Sequence, residues 1–121
     1  MGTIVESVRN TMLDDSFQDT PWVSLYVGDP QGAGTETSGT GYQRYQITLT
    51  AASGAVRSNN AQIVFTVGSG GWDSGVNYAG LHSASTGGTL LASDQLDATR
   101  DMSVVGATMT FGIGDIDVSL T

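Results

Sequence analysis

The chain has 121 residues, no cysteine, and a formal charge of −8 from twelve acidic residues against four arginines and no lysine. These numbers exclude disulfide staples, thiolate metal sites and a cysteine nucleophile. They also oppose sequence-independent nucleic-acid binding and docking on an anionic membrane, so neither partner is expected. A chain this long buries roughly two-thirds of the surface its unfolded form exposes, enough for one core. Residues 1–121 are therefore expected to form a single domain, with 1–21 as a helix and arm and 22–121 as the β-sandwich.

The first stretch reads as helix. Thr3 and Glu6 have capping-box spacing, and Ile4, Val5, Val8, Met12 and Leu13 recur as one helical stripe. Asp14-Asp15 and Asp19-Thr20-Pro21 are expected to end it, leaving a helix of about ten residues over a sheet edge or a neighbouring subunit. No apolar run reaches the ~20 residues of a membrane span. The N-terminus lacks the basic and apolar regions of a secretory signal, which suggests synthesis in a host cytoplasm.

From Trp22 the period changes to two. Val23, Leu25 and Val27 alternate with Ser24 and Tyr26 until Gly28-Asp29-Pro30 breaks the run. Residues 31–41 read as a flexible Gly/Ser/Thr loop without an apolar anchor. Tyr45, Ile47 and Leu49 then alternate with polar neighbours as a half-buried strand. Turns are expected at Ala52-Ser53-Gly54 and Asn59-Asn60. Ile63, Phe65 and Val67 make the next strand, closed by a second flexible segment, Gly68–Gly71. Further runs lie at Val76–Leu81, Thr89–Ala92, Met109–Ile113 and Ile116–Leu120, with a hairpin-type turn at Thr86-Gly87-Gly88. Short strands with frequent turn signals predict an all-β, antiparallel sandwich or jelly-roll-like domain with one short N-terminal helix.

The residues offer little catalytic chemistry. His82 is the single histidine, Gly-x-Ser-x-Gly is absent, and the residue reads as a strand-surface histidine rather than the base of a triad with Ser83 or Ser85. Glu6 and Glu36, on a helix and in a loop, do not suggest a glycosidase pair. Asp94, Asp97 and Asp101 in a loop, and Asp115 and Asp117 sharing a strand face, raise structural calcium, but turn-forming aspartate is the preferred reading. No cofactor is expected. Trp72 beside Asp73 resembles a sugar-stacking platform, although closing the core suits it better. The chain reads as non-enzymatic.

The order of these segments resembles a family of small tailed-phage structural proteins described as tail-fibre or head-decoration proteins. The resemblance runs from Val23–Pro30 through Gly41–Leu49, Ser58–Ala61, Trp72, Gly80–Ala84 and Gly87–Leu91 to Phe111–Val118. It implies a virion β-sandwich without catalytic residues. The leading expectation is a capsid decoration (cement) protein on the capsid surface. Its partner would be the major capsid protein or another virion protein, and it would sit there as a small homo-oligomer, a trimer being the guess. The helix or the 31–41 loop would bridge subunits, with Trp22, Tyr42, Arg44 and Trp72 as contact residues. The alternatives are a tail-fibre component and, from another class, a carbohydrate-binding module.

Overall fold

The computed structural model describes residues 4–120. One helix, α1 (Glu6–Ser16), precedes nine strands: β1 (Trp22–Val27), β2 (Thr35–Glu36), β3 (Tyr45–Gln46), β4 (Val56–Ser58), β5 (Ile63–Thr66), β6 (Val76–His82), β7 (Leu90–Arg100), β8 (Thr108–Phe111) and β9 (Asp117–Ser119). All pairings are antiparallel, so the all-β class with one N-terminal helix holds. Among the described residues no helix is long and apolar enough to cross a membrane.

The main sheet runs β2-β1-β6-β7, and β3 adds to β1 on the same edge as β2. Two separate ribbons, β4-β9 and β5-β8, make the second layer. The alternation in β1 explains the layering, because side chains two apart share a face. Val23 and Leu25 point with Leu81 into a core that also takes Phe65 from β5, Met109 from β8 and Val118 from β9. Trp22, Ser24 and Tyr26 lie on the opposite face, paired with His82, Gly80 and Tyr78. Ser24 and Tyr26 are buried there as well.

The helix differs from its expected form. It starts at Glu6 with Val5 as an N-cap lacking a side-chain bond; Thr3, the expected cap, lies outside the described residues. Of the apolar stripe only Leu13 is buried, while Ile4, Val5, Val8 and Met12 are 41–61% exposed. The inner face is fastened by polar bonds instead. Asn10 Oδ1 accepts the Ala55 N–H at 2.7 Å, and Asp14 Oδ1 accepts the Ala52 N–H at 2.9 Å. The helix also runs past Asp14-Asp15. Buried Arg57 donates to the Leu13 and Phe17 carbonyls and to Asp19, placing a cation at the helix C-terminus, where the dipole favours one.

Strand β4 lies where only turns were expected. It follows a two-residue turn in which Gly54 and Ala55 both have positive φ (60° and 59°), and Ser53 and Val56 exchange backbone bonds. Those angles suit the right-handed twist of a hairpin. Two glycine-rich segments read as flexible are tightly held. A Cβ on Gly71 would come within 2.1 Å of the Ser103 carbonyl oxygen, and one on Gly68 within 2.3 Å of that of Thr40. Glycine is used there for close backbone approach. In the 31–41 segment, Thr37 is buried and pairs backbone N–H to the Leu25 carbonyl. That segment is folded onto β1.

Phe65 is fully buried and meets Tyr42, Tyr45 and Phe111. Phe65→Ala is expected to cost about 3–5 kcal/mol, read as a lower urea midpoint. Exposed Val105→Ser should stay within about 0.5 kcal/mol of the parent.

Candidate functional site

The main sheet has a gap along one edge of β1. Strand β2 covers Tyr26 and Val27, and β3 covers Trp22 and Val23. Between them, the Leu25 N–H donates to the Tyr42 hydroxyl at 3.1 Å, so a side chain stands where a strand carbonyl would be. The same hydroxyl donates to Glu36 Oε2 at 2.5 Å. Arg44 grips Glu36 with two parallel bonds, Nε to Oε2 at 2.9 Å and a terminal nitrogen to Oε1 at 2.8 Å. Its other terminal nitrogen donates to the Ala84 and Gly87 carbonyls in the β6–β7 turn. Bidentate charge-assisted bonds of this kind are the strong ones.

The electrostatics follow. Burial pushes the Glu36 carboxyl up, but the bonds from Arg44 and Tyr42 and the Arg44 charge outweigh it and hold the group below its ordinary value. Burial and the bond to Glu36 push the Tyr42 phenol well above its usual range. Next to this network, the Tyr26 hydroxyl meets His82 Nε2 at 2.8 Å, and the two rings stack at 5.9 Å. His82 is 5% exposed, not the surface histidine expected from its strand position, and its Nδ1 has no hydrogen-bond partner among the described residues. Burial lowers its pKa, and the Arg44 charge adds to that.

The expected contact residues are thus placed unequally. Tyr42 and Arg44 come together, and their polar atoms are engaged within the chain. Trp72 is buried, edge-on to Tyr42 at 5.2 Å, with its indole N–H on the Thr40 carbonyl. Its ring serves the core and presents no stacking platform. Trp22 stands apart, half-buried beside His82 on the outer sheet face. Glu36, read as a residue of a flexible loop, is the centre of the network, and the Tyr26–His82 pair went unseen. No local pattern marks either, because Glu36 ends a strand of only two residues, Tyr42 closes a turn, and Tyr26 and His82 are 56 residues apart.

The aspartates make separate local bonds. Asp94 and Asp97 lie on β7, not in a loop, and Asp97 pairs with Arg100. Asp101 bonds the Ser103 N–H and hydroxyl, Asp115 the Gly112 N–H, and Asp117 the Ser58 hydroxyl. Asp115 precedes β9, so it does not share a strand face with Asp117. Among the described residues no group of three or more His, Asp or Glu is gathered as metal ligands. Turn-forming aspartate accounts for Asp101 and Asp115.

The arrangement is a set of internally satisfied bonds that close a sheet edge. A sequence comparison decides the family: the model of the podophage GP4 fiber I protein gp80 matches residues 6–119. The chain belongs to this fibre family. No curated protein matches it. Membership makes the chain a virion structural protein of tailed-phage type, as the resemblance implied. Of the two virion expectations, the fibre family supports the tail-fibre alternative over head decoration.

His82 generates a pH dependence. Its folded pKa is depressed, so its contribution to stability is complete above the ordinary value of about 6.5 and is lost as pH falls from there through the folded value. Glu36 behaves likewise further down, losing its contribution as pH falls below the ordinary carboxylate range. Urea midpoints measured from pH 8 to pH 3 should therefore decline first near pH 6. That early decline should flatten in His82→Gln while the lower one persists.

Proposed function

We propose that this protein is a non-enzymatic structural component of a phage tail fibre. The observation that carries the reading is the fibre-family match across residues 6–119, which takes in α1 and all nine strands. The chemistry supports it. The single histidine bonds a tyrosine, the half-buried glutamate is held by arginine and tyrosine, and Ser83 Oγ accepts the Thr89 N–H. These side chains bind the fold together and face no substrate cavity.

Immunogold labelling of intact virions tests the location. Label confined to the tail is expected. Label spread over the head would defeat the fibre reading and restore a decoration protein bound to the major capsid protein.

In this reading the chain works as a small homo-oligomer, with a trimer as the expected state, and the outer ridge of α1 packs against a neighbouring subunit. Val8 and Met12 on α1, with Ile4 and Val5 just before it, are exposed there, and exposed apolar residues on an acidic chain are the economical place for contact. Light scattering should give a mass above the 12.5 kDa monomer, falling to the monomer in Val8→Asp/Met12→Asp. A monomeric parent at high concentration would remove the oligomer.

A further inference from the structure

The second layer of the sandwich does not cover the whole main sheet. Strand β7 is the outer strand, paired only with β6 among the described residues, and its free edge runs along Leu90–Gln95, beyond which a register shift carries the chain to Arg100 opposite Val76. Beneath that edge, between β6–β7 on one side and β8 and β9 on the other, lies a cleft of about 440 Å³. Its floor is apolar, formed by Leu81, Ala92, Leu96, Met109 and Phe111. Asp94, Asp97, Asp115 and Asp117 line it too, against one cation, Arg100, already paired with Asp97 at 3.2 Å.

We infer that the open edge of β7 and the cleft beneath it form a docking site for an extended, lysine- or arginine-bearing segment of another protein. Three features fix that occupant. An open edge is completed by a strand, whose backbone bonds supply affinity while alternate side chains enter the neighbouring pocket. The apolar floor requires every second side chain to be apolar. Four exposed carboxylates at the cleft mouth, around a single paired arginine, favour basic side chains on the rest of that strand. A second copy of this chain does not fit, since it has no lysine and a charge of −8, Arg44, Arg57 and Arg100 are already held by Glu36, Asp19 and Asp97, and Arg9 sits on a helix and not in an extended segment. The inference is independent of where in the virion the protein sits.

The test uses the full chain and a nine-residue peptide alternating valine and lysine, with a valine/glutamate peptide and a scrambled lysine/valine/glycine peptide of equal charge. Calorimetry should show saturable binding of the valine/lysine peptide alone, weakened by salt. Amide exchange by NMR should show new protection along β7, and the Leu96 and Met109 methyl signals should shift. Asp94→Asn/Asp117→Asn should weaken binding by about tenfold. Equal binding of either control peptide would overturn the inference, as would unaltered exchange along β7, because plain adsorption to an acidic surface needs neither alternation nor a free edge. The exchange pattern is read on the parent protein, so the test stands even where the double variant folds poorly.

Discussion

A half-buried carboxylate, that of Glu36, is the constraint around which the main sheet is organised. Strand β1 must be paired on both edges to lie in the middle of a sheet, yet on one side it is offered only two strands of two residues each. The remaining donor, the Leu25 N–H, would be expensive to leave unpaired inside the protein. Tyr42 supplies the acceptor, Glu36 orients Tyr42, and Arg44 neutralises Glu36 while tying down the β6–β7 turn. The Tyr42 ring also packs on Phe65 and Trp72. Removing the carboxylate would thus loosen a sheet edge, a turn and part of the core together.

This arrangement bears on how a functional reading should be made from composition. Aromatic and arginine residues in a small acidic chain suggest contact hot spots, and both types are common at interfaces. Here Arg44 and Arg57 instead take the place of backbone partners, and each satisfies carbonyl groups as well as a carboxylate. A guanidinium with five donors suits irregular segments, where carbonyls point in several directions. A chain with many short strands and long connections has many such carbonyls.

The sequence showed most clearly those elements whose side chains obey a simple rule. Strands β1 and β5 alternate and end at glycines, and both lie where the alternation puts them. Strand β4 was missed because its inward-facing residue is Arg57, which reads as solvent-facing in any hydropathy pattern. Strand β7 was expected to end at Ala92, where the apolar residues stop. Pairing with β6 carries it on to Gln95, and beyond a register shift Arg100 pairs Val76. The helix was legible as a helix, but its buried face was not, since Asn10 and Asp14 attach it by bonds to backbone amides. For the network, Tyr42 and Arg44 were visible as candidates, whereas the role of Glu36 depends on a loop folding back onto β1, which no local spacing encodes.

The attachment of α1 has a mechanical consequence. The helix, about 16 Å long at 1.5 Å per residue, is held at a few separate points: Leu13 in the core, Asn10 and Asp14 on the 52–55 turn, and its last carbonyls on Arg57. A pull at its first turn loads these points one after another, so they give way in sequence at low force. Strand β1, bonded along both edges, must lose its partners nearly together and resists far more strongly. The molecule therefore joins a compliant element to a stiff one, and tension applied through the helix is absorbed by peeling before it strains the sheet.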